Sequence, residues 1–402
     1  MTQDHDKIDV SKLCKSFEIL IESKYKCITP PPIYITPFNI EPLDTILGGG
    51  LGSGLPIAFT STPETGKSSI AFQFAATFLN TYENATVIYI DTETASNNPK
   101  VDKEKMDIIR QRIETLGIDQ TRFKYFPVVT DIPNFFSIVD ELITMKRSFR
   151  EKTGIDAKLL IIWDSMAATH ASKEVIVSDP KEIIGYRARE FSLHFTKIKP
   201  SLVLENVTFL CIDQVRRNLK IDGRFTKSEK SVGEFGDFKS ATSITQLQHN
   251  IRQWLFFSKG QELKPSEKYM IDGWLIDCFI EKNKLAPSRY WVTLVFDKKH
   301  CLDKVLTEFH FLSNPTITEA KLFDKSDIPL FAENAGGRYK IRVYNPETNA
   351  AIGETNTFYL KNLKDLYNND SQFKAAFDYA VKLSVDYRIR YRLFSLAFNM
   401  DD

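Results

Sequence analysis

Apolar residues recur along this chain in short continuous runs, separated by stretches with a helical period. Leu55 to Thr60, Ala85 to Ile90, Lys158 to Trp163 and Val207 to Ile212 are near-continuous apolar runs of strand length. Between them, Ile70, Phe74 and Phe78 stand at i, i+4 and i+8; Met106, Ile109, Ile113 and Leu116, then Phe136 to Met145, mark two further helices. Strands apolar throughout and joined by helices imply an α/β fold, with a mostly parallel sheet covered on both faces. The four runs end at Thr60, Asp91, Asp164 and Asp213. In such sheets ligands bind beyond the carboxyl ends of the strands, so polar chemistry is expected to converge on one edge.

The flanks read differently. Ile8, Leu13, Phe17, Leu20 and Ile21 lie along one helical stripe between Lys7 and Tyr25, and Thr29-Pro30-Pro31-Pro32 ends it. That stripe suits an oligomerisation arm or a cap on the chain's own core. Past residue 245 come strand-like pieces at Trp254 to Ser258, Gly273 to Ile280 and Tyr290 to Phe296. From about residue 305 a strand at Tyr339 to Val343 and a terminal helix from Gln372 follow. The expected organisation is a small helical N-terminal arm and linker over 1–36, an α/β core over 37–304 and a mixed α+β C-terminal domain over 305–402.

Composition narrows the class. The 402 residues are 43% hydrophobic and 26% charged, those of a soluble globular chain, and the net charge of +1 selects no partner. Any nucleic-acid surface must be a local patch. No apolar run approaches the ~18 residues that span a bilayer, and the polar, acidic start is unlike a signal peptide. Cys14, Cys27, Cys211, Cys278 and Cys301 are dispersed with no C-x-x-C pair, as expected of free thiols in a reducing cytoplasm. A membrane protein, a disulfide-stapled mini-scaffold and a histone-like polycation are excluded.

Ser61-Thr62-Pro63-Glu64-Thr65-Gly66-Lys67-Ser68 matches G-x-x-x-x-G-K-[ST] except at its first position, and stands between an apolar strand and an amphipathic helix. Amides of such a loop, from Ser61 through Ser69, cradle phosphate oxygens at the helix N-terminus. Lys67 brings a point charge to the β- and γ-phosphates of ATP, and the Ser68 hydroxyl ligates Mg²⁺. Asp164, after Leu160-Ile161-Ile162-Trp163, suits holding Mg²⁺ through its water shell. Glu93 is the candidate to orient or deprotonate an attacking water, with Asp91 as the alternative. Gln214 follows the fourth strand, where a neutral amide can sense a γ-phosphate. Beyond it, Val215 to Ser240 holds seven Lys/Arg against four Asp/Glu, with three glycines and three phenylalanines. Arg216, Arg217, Lys220, Arg224 and Lys227 there suit a single-strand-binding loop that uses phosphate attraction and stacking, and equally a solvated insertion.

From about Asn39 to Phe296 the chain resembles the RecA family of DNA recombinases, its phage UvsX-type members included. Pro63-Glu64 before Gly66-Lys67-Ser68, Ile90-Asp91-Thr92-Glu93, Leu116-Gly117-Ile118-Asp119, Trp163-Asp164-Ser165, Asp213-Gln214-Val215-Arg216 and Lys282-Asn283-Lys284-Leu285-Ala286-Pro287 carry the likeness, in the family's order. The resemblance implies a RecA-type P-loop ATPase core and a DNA-dependent ATPase that needs ATP and Mg²⁺. It further implies a helical homo-oligomer on single-stranded DNA that pairs with double-stranded DNA in recombination and repair. Glu93 would be the catalytic carboxylate and Gln214 the switch between nucleotide and DNA. Lys282 and Lys284 would reach the neighbouring protomer's ATP, and Arg187 and Arg189 fall where the first DNA-binding loop places an arginine. A loader or single-strand-binding protein and a cytoplasmic location, the host's if phage-encoded, also follow. Ser61 in place of a glycine and Asp213 in place of an amide depart from the pattern, and the C-terminal region matches faintly. The alternatives are a ring ATPase of the same fold, a helicase or a regulator, and a scaffold that binds nucleotide without hydrolysis.

The loop reading is measurable. Neutralising two of Arg216, Arg217, Lys220 and Arg224 should flatten the salt dependence of single-strand affinity by about one to two units, at ~0.7 per phosphate contact. An unchanged slope would assign the loop to solvent.

Overall fold

The computed structural model describes residues 15, 19, 30–93, 99–128, 130–172, 180–217, 238–240, 249–345, 348 and 350–394. Residues 1–32 and 33–402 are separate compact units. The arm expected over Lys7 to Tyr25 lies outside the described residues except for Lys15 and Ile19, both helical.

The second unit opens with β1 (Ile35–Thr36), α1 (Glu41–Leu47) and β2 (Leu51–Gly52). Alternation follows: β3 (Pro56–Ser61), α2 (Lys67–Thr81), β4 (Ala85–Asp91), α3 (Pro99–Thr115), β5 (Phe123–Pro127), α4 (Ile132–Thr153), β6 (Lys158–Asp164), α5 (Pro180–Leu204) and β7 (Thr208–Arg217). Then come β8 (Phe238–Ser240), β9 (Gln253–Leu263), β10 (Gly273–Lys282), β11 (Trp291–Asp297) and β12 (Cys301–Leu302). One ten-stranded sheet has the order β12-β11-β10-β9-β3-β7-β6-β4-β5, with β8 paired to β7. From β9 to β5 neighbours are parallel, and from β9 to β12 they are antiparallel. The chain is thus an α/β protein with a large, mostly parallel sheet flanked by helices.

Both faces are covered, which explains the continuous apolar strands. Ile57 and Phe59 of β3 join the cluster holding Ile70, Phe74 and Phe78 of α2, while Ala58 faces the other way. The second face buries Trp163 against Phe135 and Phe136 of α4 and Phe191 of α5, with Trp163 stacked 3.8 Å from Phe135. Among the described residues no helix is long and apolar enough to cross a membrane.

The C-terminal region adds α6 (Lys304–Ser313), α7 (Ile317–Leu322), a three-stranded sheet of β13 (Ala332–Ala335), β14 (Arg338–Tyr344) and β15 (Ala351–Glu354), α8 (Leu363–Asn369) and α9 (Ser371–Val385). Its Phe309, Ile341, Phe377 and Val385 belong to the same cluster as Phe59. The π-helical segment Asp386–Phe394 buries Arg388 completely. The guanidinium donates to Glu319 Oε1 (2.8 Å) and Oε2 (2.6 Å) and to the carbonyls of Phe311 and Asn314. Burial pushes the Glu319 carboxyl up, but Arg388 and the Thr316 donors outweigh it and hold it below the usual range. Arg388→Met should therefore destabilise the chain by about 3–5 kcal/mol in urea unfolding, because a buried carboxylate and two carbonyls lose their donor. A loss below about 1 kcal/mol would mean that water reaches this pair.

Candidate functional site

The turn from β3 into α2 depends on Gly66, whose φ is 108° in the left-handed region. A Cβ there would lie 2.9 Å from the Phe296 ring, so both backbone freedom and space require glycine. No side chain caps α2, and its first amides are left for an anion. The Trp274 indole donates to Thr65 O (3.1 Å) and its ring stacks on Phe296 at 4.7 Å. Antiparallel strands β10 and β11 thus prop the loop from below.

Lys67 is 7% exposed. Its Nζ donates to Ser61 Oγ (2.8 Å) and Thr62 O (3.2 Å). The residue that stands in for a glycine therefore holds the lysine's head with its own hydroxyl. Burial lowers the Lys67 pKa, and the charges of Asp164, Glu93 and Asp213 act in the opposite direction.

Parallel register sets Asp91 of β4 beside Asp164 of β6, and Gln214 of β7 beside Ser61 of β3. Asp164 Oδ2 accepts from Ser68 Oγ and from Tyr89 Oη, each at 2.6 Å. Burial pushes Asp164 up to about 6, and the neighbouring Asp91 and Glu93 charges add to the shift. Tyr125 Oη donates to Asp91 Oδ2 (2.5 Å), and Asp91 Oδ1 accepts from the Glu93 amide (2.8 Å). Glu93 accepts from Gln214 Nε2 (3.0 and 3.2 Å) and Ser165 Oγ (3.3 Å). Thr92, Ser165, Thr169 and the Trp163 indole interlock behind it.

Lys67, Ser68, Ser69, Asp91, Glu93, Asp164 and Gln214 line one cleft of about 470 Å³. The structure thus gathers these seven residues, each singled out by the sequence, from four segments. The arrangement offers uncapped helix amides and a lysine to an anion, and a hydroxyl beside a carboxylate to a hard cation. Among the described residues no three His, Cys, Asp or Glu side chains group to hold a metal by themselves.

No protein-family model matches this chain, and no curated protein matches it.

Other sequence-singled residues fall elsewhere. Lys282 ends β10 and Lys284 lies in the loop after it, and neither lines the cleft. Arg187 donates to Met166 O (2.7 Å) and Ala167 O (2.6 Å), clamping α5 to the turn after Asp164, whereas Arg189 is exposed. Arg216 and Arg217 lie in β7, which runs beyond the sheet and pairs back with β8 as Val215↔Ser240 and Arg217↔Phe238. Lys220, Arg224 and Lys227 lie outside the described residues.

Sequence reasoning missed Tyr89 and Tyr125, and it quoted Ser165 beside Asp164 without giving it a role. Tyr89 precedes Asp91 by two residues, hence on the same strand face, and that spacing was the available signal. Tyr125 shows only through its register opposite Tyr89.

A carboxyl raised in the folded state binds its proton more tightly there than in the unfolded chain. Asp164 therefore favours folding below pH ~4, and that advantage is lost as pH rises through about 6. Without nucleotide or metal, Asp164→Asn should melt higher than the parent at pH 7–8, by up to about 3 kcal/mol. The gap should close below pH ~4. Equal melting of parent and variant across this range would mean that Asp164 is solvated.

Proposed function

We propose that this protein is an ATP-dependent recombinase of the RecA type, which assembles on single-stranded DNA and pairs it with a homologous duplex. The observation that carries the reading is the Ser68–Asp164 contact of 2.6 Å at the mouth of the uncapped helix, with Glu93 and Gln214 joined in the same cleft. A generic α/β sheet has no need of a fully desolvated carboxylate there, and tolerates one where function uses it.

The residues present fit ATP with Mg²⁺. Gly66 leaves no Cβ between the loop and Phe296, and Ser68 and Asp164 form a hydroxyl–carboxylate pair for a hard cation. When bound, Mg²⁺ would neutralise charge on the β- and γ-phosphates. Lys67 exchanges its Ser61 and Thr62 oxygens for phosphate oxygens. Glu93 receives the proton of the attacking water at a carboxylate oxygen. Gln214 exchanges Glu93 for the γ-phosphate and so reports on the nucleotide. It stands one residue before Val215, where the β7–β8 ribbon begins, and that proximity suits a signal to a DNA-binding loop. Arg187, bound to the carbonyls of Met166 and Ala167 just past Asp164, links the same turn to α5.

Lys67→Ala should lose hydrolysis and nucleotide-dependent DNA binding. Glu93→Gln should keep ATP and DNA while turnover falls by roughly two orders of magnitude. ATPase rates with and without single-stranded DNA, beside electron microscopy of the same mixtures, test the reading. Closed rings would favour the helicase or regulatory alternative, and a parental rate in Glu93→Gln would pass the base role to Asp91.

A further inference from the structure

Trp274 stands near the start of β10 and does not line the cleft, yet it touches the loop at the cleft's mouth. Both strands that flank β10 hold its ring. Phe296 of β11 is its directly opposite partner and stacks at 4.7 Å. From the other side β9 sends Lys259, whose ammonium lies 4.5 Å from the ring centroid and bonds to Glu262 Oε1 (3.2 Å). Strand β9 carries one extra residue between the partners of Trp274 and Ile276, and this irregularity seats Glu262 opposite the indole. A ring held by both neighbouring strands has little freedom left, so its single donor has a fixed aim. That donor is the indole N–H, and it goes to Thr65 O (3.1 Å).

The peptide it holds is one that could otherwise turn over. Glu64 and Gly66, on either side of Thr65, both have positive φ, at 60° and 108°. Gly66 has no Cβ, so rotation of the Thr65–Gly66 peptide plane meets little steric resistance from its own backbone. A trans peptide sets its N–H opposite its C=O, so the direction of Thr65 O decides where the Gly66 amide points. Thr65 O is drawn to the hairpin of β10 and β11, whereas Gly66 lines the cleft. The Gly66 amide is therefore turned away from the hairpin and towards the cleft, where an anion can accept it. The Thr65 hydroxyl adds a second tie, donating to Thr62 O (3.0 Å), the carbonyl that also accepts from Lys67 Nζ (3.2 Å). Through one residue the indole steadies both the amide and the oxygen that holds the lysine.

We propose that Trp274 is a positioning residue of the phosphate loop: its N–H latches the Thr65–Gly66 peptide with the Gly66 amide turned to a phosphate group in the cleft. The proposal rests on the nucleotide reading of that cleft and adds a side chain that touches neither nucleotide nor reacting atoms. It makes phosphate affinity depend on β9, β10 and β11, strands that contribute no lining residue to the cleft.

Trp274→Phe keeps a ring on Phe296 and removes the donor. Parent and variant are compared by thermal melting, by hydrogen exchange over residues 62–68 without ligand, and by calorimetric titration with ADP and with inorganic pyrophosphate. Trp274→Phe should bind both probes about three- to tenfold more weakly, the scale of one hydrogen bond's net contribution. Exchange over 62–68 should speed up while the melting temperature stays near the parent's. In ATPase assays KM should rise with kcat nearly kept, because the amide contact serves ground state and transition state alike. Parental affinity or parental exchange in Trp274→Phe overturns the proposal. A loss for ADP without one for pyrophosphate overturns it in favour of a contact to the base or sugar. If Trp274→Phe melts early, replacing the indole by benzothiophene, the same shape without the N–H, carries the comparison, and parental affinity there assigns Trp274 to the fold alone. A parent that binds neither probe would sink the nucleotide reading itself, a result separate from the exchange measurement, which needs no ligand.

Discussion

Asp164 is a carboxylate at 6% exposure, beside a second carboxylate on the adjacent strand, and the site is arranged around making that position tolerable. Two hydroxyls offset its desolvation, Ser68 from the first turn of α2 and Tyr89 from β4. Each ties a different element to the end of β6. Asp91 is in turn satisfied by Tyr125 and the Glu93 amide, so one buried charge recruits hydroxyls from two further strands and a helix. Because both sheet faces are sealed by helices, the strand ends are the outlet for these polar groups.

Much of this was legible in the chain because burial on both faces writes itself as uninterrupted apolar runs. The runs at Leu55 to Thr60, Ala85 to Ile90, Lys158 to Trp163 and Val207 to Ile212 became four neighbouring strands, and the loop between Ser61 and Ser68 fell at the mouth of a cleft. β5, of sequence Phe-Lys-Tyr-Phe-Pro, was not foreseen: an edge strand buries one face only and its pattern is short. The helix from Pro180 to Leu204 was equally hidden, since Gly185 and Pro200 interrupt its period. Tyr89 looked like an ordinary strand residue and Tyr125 lay in no foreseen element; cross-strand register brings the first to Asp164 and the second to Asp91. The resemblance puts Arg187 in a DNA-binding loop; it lies instead in α5, and its clamp on the carbonyls of Met166 and Ala167 depends on how that helix meets the turn after β6.

The C-terminal region illustrates the same limit. Arg388 and Glu319 are 69 positions apart, and no local pattern announces their bidentate pair. An arginine in a helical period reads as solvent-facing until packing removes the solvent. Burying it demands nearly every donor's satisfaction at once, which pins the last helical segment onto α6 and α7.

The change from parallel to antiparallel pairing at β9 has the longest reach. In a purely parallel sheet every strand delivers its end residues to the same edge, and a lysine at the end of β10 would stand with Lys67. Reversal at β10 sends Lys282 and Lys284 to the opposite edge. On the recombinase reading, a single protomer then holds the phosphate loop and the carboxylates at one end and the charge that complements them at the other. Neither end can supply the other within one chain, because the sheet between them is packed solid on both faces. Hydrolysis that depends on assembly would then need no separate regulatory device: it is a consequence of strand direction.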